Sequence, residues 1–387
     1  MPGRDADASQ RNERFIVAQV YKGFPPVRGG IEGHIGLLAQ LLAERQIRTE
    51  VFCAAVAGTP RHEVHGRIEV RRCASPLTVA STPLPPTLPL ALRHSRAALV
   101  HLHYPWPPGE VAWLLGGRRR PLIVTLHCEV VRRPRLARFL SPLTQRVLAD
   151  AAQILVTGDF MRTRPLLALH GDRVRVVPPG VDLEHFRPTS DAIDPLPSVP
   201  RPRILFVGRL RHYKGLPILA AALARLPEMH LVVAGDGPER STLLATLAAR
   251  GCHQRAHLLG EVDDELLLKL LQTADVLALP STSRAEAFGL AVAEAQACGL
   301  PAVTTDVGTG TAYTVDDGVS GRVVSPNDAV GLATALAWCV DPTRAMALRL
   351  AARTHAETKL CARRMASAIE TVYLDALAAQ SQHPRPL

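Results

Sequence analysis

In the second half of the chain, short apolar runs alternate with longer amphipathic stretches. Residues 203–207, 230–234, 256–259, 276–279, 301–304 and 321–324 are brief, rich in valine, leucine and alanine, and bounded by glycine, proline or charge. Such runs read as strands buried on both faces. Between them, 216–226, 239–250, 263–273, 288–298 and 328–340 carry good helix formers at helical spacing. Strict alternation predicts a parallel sheet covered by helices on both sides. The first half repeats the theme less regularly. Strands are expected at 14–20, 49–55, 98–103, 122–126, 153–156 and 173–178, with helices from Ile31 onward and at 141–150 and 160–170. Residues 344–379 read as a helical tail.

Proline punctuates this pattern. Residues 75–90 hold five prolines and are expected to be loop, and 187–202 hold five more with few apolar positions. The second stretch reads as an interdomain linker. The predicted organisation is therefore a tail (1–13), a first domain (14–186), a linker (187–202) and a second domain (203–364).

Composition narrows the class. A chain of 387 residues is long enough for two separate cores. No run approaches 18 apolar residues, so no membrane-crossing helix is expected. The first fourteen residues are polar, without the apolar segment of a signal peptide, and read as a disordered tail. Seven scattered cysteines without a C-x-x-C pair suit reduced thiols and a cytoplasmic location. The net charge of +10 admits nucleic acid, an acidic membrane face or anionic small molecules. Arginines cluster at 118–120 and at 132, 133, 135 and 138, with no nucleic-acid motif and no interleaved aromatics. That cluster fits an anionic lipid surface, and no nucleic-acid partner is expected.

Candidate chemistry centres on residues 281–301, a hydroxyl-rich loop opening a helix that Gly299 and Pro301 stop. Free amides at Phe288, Gly289 and Leu290 make that helix start a natural seat for an anion. Glu286 precedes the helix and Glu294 lies inside it; a solvated helix face is the plain alternative for both. Eight residues of helix rise at most about 12 Å, which suits two ends of one extended ligand better than the paired carboxylates of a hydrolase. Arg209 follows a strand end and Gly208, with Lys214 five residues on, so two fixed cations share one loop. The only D-x-D spacing, Asp5–Ala–Asp7, falls in the tail, which predicts metal-independent chemistry and no cofactor. In the first half, strand, loop ending in Gly29–Gly30 and helix form a possible phosphate cradle, or simply a tight turn. His101 and His103 share a strand face, but no third ligand follows at metal-binding spacing. His127 stands just past a strand's carboxyl end, where open α/β sheets bind ligands, though a satisfied core histidine would look the same.

The ordered series Ile204–Gly215, Val232–Pro238, Leu258–Val262 and Ser281–Pro301 resembles the donor half of retaining glycosyltransferases of family 4. Glu286 and Glu294 match that family's E-x7-E pair, and Arg209 with Lys214 its basic pair. The likeness runs from about Gly29 to Gly321. It implies an α/β GT-B fold, two Rossmann-like β/α/β domains facing each other across a cleft, with a last helix (365–387) crossing back onto the first domain. It implies catalytic roles for Arg209, Lys214, Glu286 and His127, and donor contacts from Gly29, Gly30, Val262, Phe288, Gly289, Leu290 and Glu294. It also implies transfer of a hexose, with mannose suggested, from a nucleotide-diphosphate sugar to a lipid-linked or saccharide acceptor at the inner face of the membrane. Two alternatives stand beside it: a non-catalytic sugar-nucleotide or nucleic-acid binder, and a phosphorylase on the same fold. Asp306–Val–Gly–Thr–Gly–Thr departs from the Gly-Gly that many relatives carry near the sugar, and Cys128–Glu129 from the small residues common after the histidine.

Overall fold

The computed structural model describes residues 14–79, 82–128 and 134–382; the expected tail, Arg132 and Arg133 lie outside the described residues. Two compact units emerge, one from residues up to 178 together with those from 363, the other from 179–362.

The first unit is built on an eight-stranded sheet of order β10-β9-β8-β7-β1-β2-β4-β3. Its strands are β1 (Phe15–Val20), β2 (Ile47–Ala54), β3 (His62–His65), β4 (Ile68–Cys73), β7 (Leu99–Tyr104), β8 (Leu122–Leu126), β9 (Gln153–Val156) and β10 (Val174–Val176); β5 (Leu77–Val79) and β6 (Thr82–Leu84) pair separately. All neighbours run parallel except β3 on β4. The chain builds outward from β1 through β2 on one side and from β7 on the other, so the topology reverses between β1 and β7. Val17, Ala18 and Val20 are fully buried, as is one polar residue among them, Gln19. The last helix, Ala362–Gln382, packs here: Tyr373 is fully buried, and Arg45 binds Glu370 at 3.2 Å and Ser367 at 2.9 Å.

Several elements differ from expectation. Residues 75–90 are not all loop: β5 and β6 form a two-stranded ladder and a helix starts at Leu88. Pro83 sits on an edge strand and Pro89 in a first helical turn, the positions where a missing N–H costs little. The helix expected at 141–150 begins earlier, at Pro134, and carries Pro142 inside. The helix expected at 160–170 is instead a chain of 3₁₀ turns, Asp159–Met161, Pro165–Leu167 and Gly171–Arg173, broken where Pro165 and Gly171 interrupt α geometry.

The second unit holds a six-stranded parallel sheet of order β13-β12-β11-β14-β15-β16. The strands are β11 (Arg203–Val207), β12 (His230–Ala234), β13 (Ala256–Gly260), β14 (Val276–Leu279), β15 (Ala302–Thr305) and β16 (Gly321–Val324). The topology reverses between β11 and β14. The unit boundary falls at 178/179, eight residues before the expected one, and 187–202 belongs to this unit rather than being a free linker. Val199 is buried in the core, and Arg203 ties the segment down through Asp194 (2.7 Å) and the Val199 carbonyl (2.6 Å). Proline content reported turns here, not an interdomain linker.

Candidate functional site

In the second unit the loops following β11 and β14 leave adjacent strands at the point of reversal, so their residues converge above the carboxyl edge of the sheet. The β11 loop is held by its neighbours: Gly208 N–H donates to the Ala234 carbonyl and Leu210 N–H to the Asp236 carbonyl, both at 2.9 Å. The two site loops are joined directly, Thr282 N–H donating to the Tyr213 carbonyl at 2.8 Å. Within this frame Lys214 Nζ meets Glu286 Oε2 at 2.5 Å, with both side chains about 11% exposed. Ser281 Oγ donates to the same carboxylate oxygen at 3.2 Å. Two residues singled out separately in the sequence are thus one ion pair. Arg209 stands exposed on the same loop and has no ion-pair partner among the described residues.

The helix Leu290–Ala297 starts at Gly289, whose φ of 84° and ψ of 53° are left-handed, and no side chain caps it. Its first amides stay available to an anion. Phe288 is buried in one apolar cluster with Val181 and Leu360, so its backbone is the part offered to a site. Glu294 is half-buried, and burial pushes its carboxyl up to about 7, with the nearby Asp264 carboxylate adding to the rise. Val262, half-buried, packs against the core beside the start of the helix Asp264–Thr273. Sequence reasoning missed the part played by 305–311. Thr309 Oγ1 donates to the Glu286 carbonyl at 2.7 Å, Thr305 Oγ1 to the Ser281 carbonyl at 2.5 Å, and Gly310 N–H to the Ala287 carbonyl at 3.0 Å. The segment that departs from the common Gly-Gly pattern is therefore the brace of the Glu286 loop.

The first unit gathers a second polar group. Register pairs Gln19 with His101 across β1 and β7, and His103 with Thr125 across β7 and β8. His127, 5% exposed, lies beyond β8, and its Nε2 is 2.9 Å from His103 Nδ1. His34, from the helix Gly30–Glu44, sets its ring 5.0 Å from that of His127, centroid to centroid. So the third and fourth imidazoles that spacing did not supply arrive from other elements, and His34, His103 and His127 bring ligand atoms within 4.8 Å of one another. Both nitrogens of His103 are already bonded, to His127 and to Gln19 Oε1 at 2.7 Å, which leaves the trio short of the three free donors a zinc site needs. Burial holds all four imidazoles neutral: it lowers His34 to about 4 and His101 to about 3, and puts His103 and His127 well below their ordinary value. At Gly29 the chain is extended, and a Cβ would collide with the Glu32 carboxylate; an acid thus shares the helix start with the amides of Gly29 and Gly30.

Comparison with known proteins adds to this geometry. The family description "Glycosyltransferase Family 4" matches residues 28–185, and "Glycosyl transferases group 1" matches 193–354. The D-rhamnosyltransferase WbpZ of Pseudomonas aeruginosa is 31% identical over 315 residues, covering 80% of this chain and 82% of that protein. The O-antigen chain mannosyltransferase C of Escherichia coli is 30% identical over 332 residues, covering 83% and 87%. Among solved structures, a sucrose-phosphate synthase from Thermosynechococcus elongatus superposes with TM-score 0.81 at 23% identity, covering 95% of this chain and all of that one. HepE of Anabaena, in complex with UDP-glucose, superposes with TM-score 0.75 at 19% identity, covering 93% and 100%.

Proposed function

This chain belongs to the family 4 glycosyltransferases of GT-B fold, and from that premise we propose that it transfers a hexose from a nucleotide-diphosphate sugar to a saccharide or lipid-linked acceptor, with retention of configuration. The observation that carries the reading is the Lys214–Glu286 pair beside the exposed Arg209, on the two loops at the sheet's point of reversal. The leaving group is a nucleoside diphosphate, so the site's task is to stabilise charge growing on phosphate oxygens. Arg209 and Lys214 supply it, assisted by the amides of Phe288, Gly289 and Leu290; in the first unit, the amides of Gly29 and Gly30 are a phosphate seat of their own. Glu286 holds the lysine before the donor arrives, then accepts from a sugar hydroxyl. Glu294 accepts from the ribose hydroxyls and Val262 contacts the donor; in the first unit, His127 is offered to a substrate hydroxyl. As the bond from the anomeric carbon to the phosphate oxygen breaks, the acceptor oxygen bonds that carbon on the same face. Its proton passes to the departing phosphate, so no separate base is required. With two fixed cations in place, the chemistry is metal-independent.

The names of the similar rhamnosyl- and mannosyltransferases support a mannose-type hexose and a role in surface glycan assembly. Membrane association is supported by Arg119, Arg135, Arg138 and the 80% exposed Phe139. Arg120 does not belong with them: its guanidinium is bound to the carbonyls of Leu92 (2.6 Å) and Gly116 (3.0 Å). No helix of the described residues is long and apolar enough to cross a membrane. Sedimentation should show salt-sensitive binding to vesicles containing anionic lipid; equal recovery with neutral vesicles would remove this part. The main reading is tested by screening nucleoside diphosphate release across a panel of sugar nucleotides. One donor should be turned over in the presence of chelator. Release from none, or strict dependence on added Mg²⁺ or Mn²⁺, would contradict the donor class or the metal-free mechanism respectively.

A further inference from the structure

A continuous chain of buried hydrogen bonds crosses the first unit. Starting at His127, Nε2 lies 2.9 Å from His103 Nδ1, and His103 Nε2 lies 2.7 Å from Gln19 Oε1. Gln19 Nε2 is 3.0 Å from the Tyr373 hydroxyl, which is 2.6 Å from His101 Nδ1. His101 Nε2 ends the chain on Thr125 Oγ1 at 2.6 Å. Gln19, His101, His103 and Tyr373 are all fully buried, so no water competes for these groups.

Proton order along such a chain is constrained, because each neutral imidazole has one donor and one acceptor. The Gln19 amide is the one member whose two ends differ chemically. Its oxygen faces His103, so His103 Nε2 carries hydrogen and His103 Nδ1 is an acceptor. His127 Nε2–H must then be the donor to it. On the other side the Gln19 NH₂ donates to Tyr373, whose hydroxyl donates to His101 Nδ1, and His101 Nε2–H donates to Thr125. Every link is satisfied, and the free end of the chain is His127 Nδ1, left with a lone pair. Turning the amide over would reverse every link and make that same atom a donor.

We propose that Gln19, His103 and Tyr373 are positioning residues that hold His127 as its Nε2–H tautomer, presenting Nδ1 as an acceptor for a substrate hydroxyl. The placement of that hydroxyl rests on the function proposed above; the tautomer does not. One observation marks this end of the chain as a ligand-facing one: neither nitrogen of His34, only 8% exposed and with its ring 5.0 Å from that of His127, has a hydrogen-bond partner among the described residues. Buried polar atoms left without partners are costly, and a hydroxyl-bearing ligand can donate to one imidazole and accept from the other. Burial also keeps the imidazoles neutral, so the order is not erased by protonation near neutral pH. Tyr373 brings the C-terminal helix into the arrangement, which gives that helix a part in setting a proton at the site.

Long-range ¹H–¹⁵N correlation on the full chain labelled with ¹⁵N-histidine reads the tautomer directly, with a His127→Gln variant to assign the resonance. In the wild-type protein without ligand, His127 should show an unprotonated Nδ1 and a protonated Nε2. Observation of the Nδ1–H tautomer would overturn the proposal with no mutation needed. Tyr373→Phe keeps the ring and removes the hydroxyl that takes the Gln19 NH₂ hydrogen and ties the amide to His101, so the amide is held from the His103 side alone and His127 should populate both tautomers. If the variant is folded and His127 stays a single Nε2–H species, Tyr373 does not position it and the proposal fails. In the same variant kcat/KM for the sugar donor should fall about fivefold to tenfold, the effect of one lost buried hydrogen bond, while affinity for free nucleoside diphosphate is unchanged. A mixed tautomer with unaltered kcat/KM would keep the positioning chain and count against His127 meeting a substrate hydroxyl.

Discussion

At the scale of single residues, the central object is the ion pair between Lys214 and Glu286. An amine this close to a carboxylate is stabilised before the donor binds, so its charge is set in place without later reorganisation. Lys214→Ala should remove stabilisation of the departing diphosphate, on the order of 3 kcal/mol or about two orders of magnitude in kcat. Steady-state turnover with a saturating donor checks this, and a loss under threefold would contradict it. Glu294 yields a pH prediction. Its carboxyl is raised to about 7 by burial first and Asp264 second, and ribose hydroxyls are best accepted by the ionised form. Nucleoside diphosphate should therefore bind more weakly as pH falls below 7, approaching tenfold per unit, with proton release on binding at neutral pH. Calorimetry in buffers of different ionisation enthalpy measures both, and affinity flat from pH 8 to 6 would exclude the role. Legibility at this scale was uneven. Glu286, Glu294, Arg209 and Lys214 could be singled out because motif and spacing mark them. Their pairing could not, since 72 positions separate Lys214 from Glu286 and only the strand order brings the loops together. His34 carried no signal of its own; its importance appears only when a helix sets it against His127.

At the scale of elements, tight backbone approaches hold the loops that carry these residues. Gly215 has φ 71°, and a Cβ there would run into the Pro280 carbonyl, so the end of the β11 loop lies directly on the start of the β14 loop. Gly215→Ala should destabilise the second unit by about 2 kcal/mol or more, combining left-handed backbone cost with the collision. Denaturant unfolding checks the stability, and an unchanged midpoint would mean the loops are not locked as described. The second unit's elements were readable nearly to the residue, because short apolar runs buried on both faces contrast sharply with the helices between them. The first unit was harder to read. β3 is a charged edge strand, His–Glu–Val–His, and its alternation is too short and too exposed to register. The turns at 159–173 imitate a helix in composition, and only Pro165 and Gly171 mark the interruptions.

At the scale of the whole molecule, the first unit carries a sensitivity to acid. The four imidazoles clustered in the first unit, His34, His101, His103 and His127, each have a lowered folded value, principally through burial. A lowered folded value means that the unfolded chain binds the proton more readily. Stability is then complete above about 6.5 and is lost as pH falls toward the folded values. At pH 5 each such group removes up to about 2 kcal/mol. Unfolding of the protein should show the first unit melting earlier at pH 5 than at pH 7.5, and His34→Leu should flatten that slope by about one proton. Equal stability at both values would refute the buried-neutral description. The two-domain organisation and the GT-B class were legible from the alternation and the ordered motifs, whereas the boundary at 178/179 was not, because prolines that looked like a linker are turns pinned to the second unit. The central claim is that the second unit holds a nucleotide-diphosphate sugar with Glu294 at the ribose and Glu286 at the sugar. Calorimetric titration of nucleoside diphosphate into two variants tests it most directly. Glu286→Gln should keep its affinity, since it frees Lys214 for phosphate, while Glu294→Ala should lose it by about tenfold or more. Loss in Glu286→Gln with retention in Glu294→Ala would contradict the account.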